Sequence, residues 1–162
     1  MAALCFLGID PGMTGAVAFY FPQAPHLISV EDMPIADHVI DSATLGLRIA
    51  QLKPDAAVIE LQGARPQTGK SAAFKIGTAF GCALGAIGAL KVPVAIVSPQ
   101  KWKKHYGLDS DKEKSRAYCL NRWPEKAEFF NRKKDHNRAE AALLALYAAE
   151  VRFKSWNAED GQ

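Results

Sequence analysis

The sequence predicts an α/β fold in which helices flank a mixed five-stranded sheet of three antiparallel and then two parallel strands. Three apolar segments near the start, residues 4–10, 16–21 and 26–33, are joined by short turns rich in Gly and Pro, which is typical of antiparallel strands. Two later apolar segments, residues 56–60 and 92–97, are separated by a long helical pattern, which is typical of parallel strands joined by a crossover.

Helical patterns account for most of the remaining chain. Helices are expected at residues 42–52, 72–90, 110–122 and 136–153, with a short basic and aromatic turn or helix at 100–106. Asp41 or Ser42 is expected to cap the first helix. Ser110 is expected to cap the third helix, and Glu113, three residues later, completes a capping box. One side of this short segment must pack against the rest of the fold. Trp102 stands between charged residues, so it is expected to be the residue that packs in the core.

The helix at 72–90 contains glycines at positions 77, 81, 85 and 88, which share one face. Each costs roughly 1 kcal/mol of helix propensity relative to Ala. Such a cost is tolerated where another backbone comes close, so the face either packs tightly on the sheet or associates with a second copy of the chain. Phe74, near the start of this helix, is expected to pack within it.

Composition indicates one globular domain, residues 1–155, followed by a loose polar tail, residues 156–162. The 162 residues are 49% hydrophobic and 23% charged, which is ordinary for a folded domain and excludes a disordered chain. The net charge is only +3, but 12 of the 20 Lys and Arg residues fall between Lys101 and Arg138, against 6 acids. A basic half predicts an anionic partner, most commonly a nucleic acid.

Cysteine usage and hydropathy predict a cytoplasmic protein without a membrane partner. The three cysteines show no CxxC spacing, and the first predicted strand begins too early for a signal peptide to precede it. The apolar window from Ile76 to Leu90 is 15 residues long, which is short for a membrane span.

Acidic residues end two of the predicted strands, Asp10 the first and Glu60 the fourth. In the expected topology these strand ends are neighbours, so the two carboxylates repel each other unless a divalent cation lies between them. For Asp10 alone, a turn-capping role through the amides of Gly12 and Thr14 is the alternative.

Two further ligands are expected from the last helix. His136 and Glu140 are four residues apart and therefore share a face, and small residues around them let the helix approach the sheet. Asp135 replaces His136 in this role if the helix starts later. An acid cluster of this kind suits two hard cations, Mg²⁺ or Mn²⁺, and two-metal cleavage of a phosphodiester.

Basic residues surround the expected site and predict DNA backbone contacts. Arg65, Lys70 and Lys75 flank the loop after the fourth strand. The remaining rim consists of Lys101, Lys103, Lys104, Arg132, Lys133, Lys134 and Arg138, together with His105, Lys112 and Lys114. Phosphate contacts of this kind give salt-sensitive affinity with little sequence readout.

Five segments together resemble the RuvC family of Holliday junction resolvases, most of all its phage and prophage members. They are GIDPG at 8–12, VIE at 58–60, the run from Gly63 to Gly77, SPQKWKKHYGL at 98–108 and KKDHNRAEAALLA at 133–145, and the match covers roughly residues 4–150. The resemblance implies an RNase H-like fold and a homodimer. It also implies Mg²⁺-dependent paired nicking of four-way or branched DNA, leaving 5′-phosphate and 3′-hydroxyl ends.

In that family the four metal-site positions correspond to Asp10, Glu60, His136 and Glu140. Most relatives have carboxylates at both helix positions, so His136 departs from the pattern. The aromatic residue that separates base pairs in the family is also not evident after Glu60, where Gly63, Ala64 and Arg65 follow.

Two other interpretations fit part of the sequence. Asp10, Gly12, Thr14 and Gly15 match the phosphate hairpin of actin-like and sugar-kinase ATP-binding proteins, but those proteins need a second lobe for which 162 residues leave no room. No nucleotide cofactor is therefore expected. The second is a catalytically inactive DNA-binding module with the same fold.

Overall fold

A computed structural model describes residues 3–155 of the chain. The tail predicted at 156–162 lies outside the described residues, and the single domain predicted for 1–155 stays a prediction. Within these residues there are seven strands: β1 (Phe6–Asp10), β2 (Ala16–Tyr20), β3 (Ile28–Asp32), β4 (Ile35–Ala36), β5 (Val39–Ile40), β6 (Ala56–Glu60) and β7 (Val94–Val97). The five α-helices are α1 (Ser42–Leu52), α2 (Lys70–Ala89), α3 (Pro99–His105), α4 (Lys112–Arg122) and α5 (His136–Tyr147).

The main sheet has five strands in the order β3-β2-β1-β6-β7. β2 pairs antiparallel with both β1 and β3, whereas β1 and β6, and β6 and β7, pair parallel. The predicted mixed sheet is therefore confirmed, and so is the position of β6 beside β1. The small antiparallel β4–β5 pair was not predicted, because strands of two residues carry no periodicity. Asp37 and His38 form the turn between these strands, and both have positive φ.

The two faces of the sheet are covered by different helices. Leu7, Ile9 and their neighbours on β2 and β6 pack with α1 and α2, while the alternate residues Phe6 and Val58 pack with α3, α4 and α5. Successive side chains of a strand point to opposite faces. Asp10 and Glu60, which follow Phe6 and Val58 in this alternation, therefore lie on the α5 side.

Helix α5 lies directly against β1, and Gly8 makes this approach possible. A Cβ atom at Gly8 would lie 2.2 Å from the Ala145 nitrogen and 2.3 Å from the Ala141 oxygen, both in the α5 backbone. The small residues of α5 are completely buried in this contact. Close packing of this helix delivers its first turns to the end of β1, where Asp10 lies.

Several predicted helix ends differ from the structure. The cap of α4 is Asp111, whose carboxylate accepts a hydrogen bond from the Glu113 amide, and not Ser110 as the capping pattern suggested. The last helix changes to a π-helical turn at Ala148–Arg152, which the continuous apolar pattern does not reveal. Short 3₁₀ segments at Pro124–Phe129 and Lys133–Asp135 join α4 to α5.

Helix α2 presents its glycines to solvent and packs through another face. Ala79, Ala83 and Ile87 are its buried residues, whereas a Cβ atom at any of the four glycines would meet nothing within 4 Å. The prediction that the glycine face packs on the sheet is therefore wrong. The alternative, self-association through that face, stays a prediction. Phe74 is 76% exposed, so its expected packing within the helix is also wrong.

The α2 helix is also longer than the apolar window suggested. Lys70–Ala89 spans 20 residues, and within residues 3–155 it is the one helix whose length and composition would allow it to cross a membrane. Only 22% of its most apolar window is buried within the chain. Helices of soluble proteins satisfy the same criterion, so the expected absence of a membrane partner stays a prediction.

Candidate active site

Three buried carboxylates from three separate elements converge at one edge of the sheet. Asp10 ends β1 and Glu60 ends β6, and the parallel register that pairs Ile9 with Ile59 places these two acids at the same level. Glu140 lies one turn into α5, above them. The three residues are only 7%, 6% and 5% exposed, respectively.

The pKa of Asp10 reflects both its burial and the charges of the other two acids. Burial, followed by the negative charges of Glu140 and Glu60, raises the pKa of Asp10 to about 7, although a hydrogen bond from the Gly12 amide and the charge of Lys112 oppose the rise. That amide bond is long, 3.4 Å from the Gly12 nitrogen to Asp10 Oδ1. Turn capping therefore accounts for only part of the environment of Asp10.

Glu60 is held on both of its oxygens. The indole Nε1 of Trp102 donates a hydrogen bond to Oε2 at 2.7 Å, and the Gln62 amide donates one to Oε1 at 3.2 Å. Burial raises the pKa of Glu60, the bond from Trp102 works against that rise, and the charge of Glu140 adds to it. Trp102 is fully buried, which confirms its predicted place in the core.

Two lysines supply positive charge to the acid cluster. Lys103 Nζ lies 2.9 Å from Glu140 Oε1 in a largely buried ion pair. The charge of Lys112 lowers the pKa of both Asp10 and Glu60. The three buried carboxylates are thus partly neutralised by lysines, and their oxygens are donors of the kind that Mg²⁺ and Mn²⁺ prefer.

His136 lies at the rim of the cluster and contacts other groups. Its Nε2 is 3.0 Å from Lys112 Nζ, and its Nδ1 is 3.2 Å from the Lys133 carbonyl oxygen. Within residues 3–155 no group of three or more His, Cys, Asp and Glu side chains is arranged to hold a metal ion. The four-ligand set of Asp10, Glu60, His136 and Glu140 therefore stays a prediction.

Asp135, the alternative to His136, is engaged in the loop before α5. It accepts hydrogen bonds from the Arg132 backbone amide at 2.8 Å and from the Arg132 guanidinium, also at 2.8 Å. Burial alone would raise the pKa of Asp135, but the bonds from Arg132 and the charges of Arg132 and Arg138 outweigh it, so the pKa is lowered. Asp135 thus holds the start of the helix in place.

The predicted DNA-binding residues fall into two groups. Arg132 pairs with Asp135, and Arg138 forms hydrogen bonds to the two oxygens of Asp32 on β3 at 2.6 and 2.8 Å, so both guanidinium groups have partners within the chain. The other exposed members, besides Arg132, are Arg65, Lys70, Lys75, Lys101, Lys104, Lys133 and Lys134. Lys103 is half-buried at Glu140, and its DNA contact, like those of the others, stays a prediction.

A cavity of about 540 Å³ opens at the start of α5, and Asp10, Glu60 and Glu140 do not line it. Its lining combines the basic residues Lys112, Arg132 and Lys134 with the acids Asp32 and Asp135, and it also includes His136 and Asn137. Asn137 donates a hydrogen bond at 2.5 Å to the Thr14 carbonyl, which ties α5 to the β1–β2 turn. The lining of the cavity therefore carries charges of both signs.

Sequence reasoning missed the contacts of Trp102 and Gln62 with Glu60, and of Lys103 with Glu140. Trp102 was assigned only to packing, Lys103 and Lys112 only to the basic rim, and Gln62 was given no role. One available signal was the position of Trp102 and Lys103, which come shortly after β7 ends at the same edge as the acids. The effect of the Lys112 charge on Asp10 and Glu60 depends on where α4 lies, which local pattern does not determine.

The fold of the chain is shared with solved structures of junction resolvases. The Thermus thermophilus RuvC structure in complex with a Holliday junction substrate superimposes with a TM-score of 0.64 at 20% identity, covering 94% of this chain and 97% of that one. The chain has the RuvC resolvase fold. The fowlpox virus Holliday junction resolvase gives a TM-score of 0.56 at 15% identity, covering 91% of this chain and 99% of the viral one.

A eukaryotic organelle protein shows the same fold. The yeast mitochondrial Holliday junction resolvase Ydc2 gives a TM-score of 0.57 at 15% identity, covering 96% of this chain and 83% of the yeast one. No protein-family model and no curated protein sequence matches the chain. The RNase H-like, RuvC-type architecture implied by the five motifs is confirmed.

Proposed function

We propose that this chain is a RuvC-type nuclease that resolves four-way DNA junctions by divalent-metal-dependent paired nicking, leaving 5′-phosphate and 3′-hydroxyl ends. The observation that carries the proposal is the convergence of Asp10, Glu60 and Glu140 at the sheet edge of a RuvC fold. Burying three acids together is costly unless cations compensate them. Buried acids that repel one another are typical of functional sites, and here they fit metal-dependent chemistry.

The proposed ligands are Asp10, Glu60, His136 and Glu140, around two Mg²⁺ ions for which Mn²⁺ substitutes. When bound, such ions activate water for attack on phosphorus and stabilise the leaving 3′ oxygen. Asp10 and Glu60 are fixed at strand ends and Glu140 on a packed helix, so their carboxylates require little reorganisation. His136 joins them by exchanging its contact with Lys112.

Lys103 and Lys112 have two roles in this proposal. In the protein without ions they reduce the repulsion among the acids, since Lys103 pairs with Glu140 and Lys112 faces Asp10 and Glu60. With ions held by the acids, the ammonium groups of Lys103 and Lys112 would be available to bind the oxygens of the scissile phosphate. Lysine suits this exchange because its side chain is flexible and donates in several directions.

The DNA backbone is proposed to cross the exposed basic surface around the site. Arg65, Lys70 and Lys75 contact it on the α2 side, and Lys101, Lys104, Lys133 and Lys134 contact it on the α3 and α5 side. Arg132 and Arg138 contribute positive potential while remaining in their ion pairs. Exposed Phe74, between Lys70 and Lys75, is positioned to stack on a base, as aromatic residues in single-strand-binding grooves do.

Cutting both strands of a junction symmetrically requires two active sites, so the proposed unit is a homodimer. The exposed glycine face of α2 supports this part of the proposal, because identical backbones approach closely only where side chains are small. We also propose a cytoplasmic location, in keeping with the free cysteines Cys5, Cys82 and Cys119, and no nucleotide cofactor.

The proposal is tested with synthetic four-way junctions and linear duplexes of the same sequence, incubated with Mg²⁺, Mn²⁺ or EDTA. We expect paired symmetric nicks in the junction only, none in EDTA, and ends that DNA ligase seals directly. Asp10→Asn is expected to keep junction binding and lose cutting. An Asp10→Asn protein that cuts at the normal rate would contradict the site assignment.

An inactive junction-binding module is the second candidate, and one observation favours it. His136 and Glu140 already have lysine partners, Lys112 and Lys103, at 3.0 and 2.9 Å. If these pairs persist in the presence of ions, the protein binds the junction without cutting it. Tight, metal-independent junction binding with no nicks in Mg²⁺ or Mn²⁺ would identify this alternative.

A further inference from the structure

Helix α3 lies where it can touch two of the three acids. It begins at Pro99, directly after β7, and β7 pairs with β6 in a register that sets Val97 opposite Glu60. The helix is only seven residues long, and its one buried residue is Trp102. Its position is therefore fixed at the same edge of the sheet as the acid cluster.

The bond between Trp102 and Glu60 joins a buried donor to a buried charge. The Nε1 to Oε2 distance is 2.7 Å, which is short for a nitrogen donor and typical of a charge-assisted hydrogen bond. A buried indole N–H needs a partner, but any carbonyl oxygen satisfies it. Trp123, the other fully buried tryptophan of the same core, donates to the Pro25 backbone carbonyl at 3.1 Å. Trp102 therefore differs from Trp123 in donating to an acid of the candidate site.

The residue after Trp102 holds a second acid of the cluster. Lys103 pairs with Glu140 at 2.9 Å, and its ammonium group lies 5.3 Å from the centre of the Trp102 ring. Two consecutive side chains of one short helix thus contact carboxylates that come from β6 and α5. The lysine contact is one that an arriving cation displaces, whereas the bond from the fully buried indole is not exposed to solvent or ions.

We propose that Trp102 is a positioning residue, whose indole N–H fixes Oε2 of Glu60 and so orients the carboxylate toward the cation site. This inference rests on the proposed function. Glutamate has three rotatable side-chain bonds, and without a fixed partner its carboxylate would sample several orientations before each binding event. The hydrogen bond removes that freedom in advance, as groups behind metal ligands do.

The test measures Mn²⁺ binding to the DNA-free protein by electron paramagnetic resonance, for Trp102→Phe and for Trp123→Phe as the matched control. Both variants lose a buried indole N–H and the same volume from one core. We expect Trp102→Phe to bind Mn²⁺ roughly 10-fold more weakly, as removal of a group that orients a ligand does. Trp123→Phe should bind as the unchanged protein does. Equal Mn²⁺ affinity in the two variants would overturn the proposal.

A second replacement separates the hydrogen bond from packing. Replacing Trp102 with 3-benzothienylalanine keeps the two-ring shape and puts sulfur in place of the N–H group, so the core remains filled. We expect the same weakening of Mn²⁺ binding as in Trp102→Phe, with thermal stability closer to that of the unchanged protein. Unchanged Mn²⁺ affinity in this variant would also overturn the proposal.

Glu60→Gln distinguishes failure of this inference from failure of the proposed function. If Glu60→Gln binds Mn²⁺ as the unchanged protein does, Glu60 is not a ligand, and both the ligand set and the role of Trp102 are wrong. If Glu60→Gln loses Mn²⁺ binding while the benzothienylalanine variant keeps it, only the role of Trp102 is wrong. Loss in both variants supports both.

Discussion

Asp10 is the residue whose environment differs most from that of a free carboxylic acid. Its pKa is raised from 3.8 to about 7 by burial and by the charges of Glu140 and Glu60. A raised carboxyl pKa means that the folded protein holds this proton more tightly than the unfolded chain does. The ion-free fold therefore loses stability as the pH rises from about 4 to about 7, and the whole penalty is present above pH 7.

Asp10→Asn should remove this penalty in the ion-free protein. At pH 8 in EDTA, we expect the free energy of unfolding to increase by on the order of 2 kcal/mol, below the limit of about 4 kcal/mol that the full shift sets. Below pH 4 the gain should disappear, because both forms are then uncharged. Urea denaturation at pH 4 and pH 8 measures the difference.

Asp32→Asn is the control, for which the free energy of unfolding at pH 8 should change in the opposite direction. The hydrogen bond from Arg138 lowers the pKa of Asp32, so this group stabilises the fold above pH 4 and loses that effect as the pH falls. Asp32→Asn should therefore be less stable than the unchanged protein at pH 8. A stability loss in Asp10→Asn at pH 8 would show that the acids do not repel each other as described.

The same proton also affects cation binding. Because a cation competes with the proton on Asp10, we expect the Mg²⁺ concentration for half-maximal junction cutting to fall as the pH rises from 6 to 8. Buffered cleavage assays at fixed ionic strength measure it. A Mg²⁺ requirement that stays constant across this range would mean that Asp10 is not a ligand.

Phe74 is a large apolar side chain that makes no contribution to the core. Phe74→Ala should leave the melting temperature unchanged and weaken junction binding by about 1 to 3 kcal/mol, the range measured for base–aromatic stacking. Leu47→Ala is the matched control, since Leu47 is also exposed (60%) but lies on α1. Fluorescence anisotropy with a labelled junction measures both, and equal effects would exclude stacking by Phe74.

At the scale of elements, the position of α5 against β1 determines where the third acid lies. The contact depends on Gly8, since a Cβ atom there would overlap the α5 backbone at 2.2 Å. Side chains can rotate out of an overlap, but a helix backbone held by its own hydrogen bonds must move as a whole. Any residue larger than glycine at position 8 therefore displaces the helix that carries Glu140.

Gly8→Ala should destabilise the fold by about 3 kcal/mol or more, as overpacking against a rigid backbone does. Gly46→Ala in α1 is the control: a Cβ atom there meets nothing within 4 Å, and helix propensity should add up to about 1 kcal/mol of stability. Chemical denaturation of both variants tests the pair. A Gly8→Ala protein of normal stability would mean that α5 does not approach β1 this closely.

The elements that sequence predicted well are those with local signals. β6 was predicted with its observed bounds, because AAVIE is an apolar run after a Pro-containing turn and ends in an acid. Asp10 and Glu60 could be brought together because both end strands that the connection pattern makes neighbours. The cap of α4 was misplaced by one residue, since Ser110 and Asp111 are both good caps and only the backbone conformation selects between them.

The contacts around the acids were less predictable. Trp102 reaches Glu60 across 42 residues of sequence, and Lys103 reaches Glu140 across 37. Such pairs depend on how α3 and α5 lie relative to the sheet, and no periodicity encodes that relation. The exposure of the α2 glycines was unpredictable for a related reason, because small residues serve equally well against the sheet and against a second chain.

At the scale of the whole molecule, α2 is a long helix with little burial: only three of its 20 residues are buried. Its core-facing side is narrow, and its other faces carry apolar residues and glycines in contact with solvent. Phe74 is 76% exposed on this helix, and exposed apolar surface is a feature of interaction sites. The proposed paired nicking requires two active sites, so the exposed face of α2 is where the proposed homodimer is tested.

Leucine at Gly81 and at Gly85 should separate that assembly into monomers, because the added side chains prevent two α2 backbones from approaching. Light scattering at several concentrations measures the mass, and Asn121→Leu, which adds the same side chain on α4 across the sheet, should remain dimeric. The separated Gly81→Leu/Gly85→Leu protein should still nick one strand of a junction, since its acids are intact, but should lose the symmetric second cut.

A mass that stays dimeric would show that the subunits meet elsewhere, and binding of the unchanged protein to lipid vesicles would assign α2 to a membrane instead.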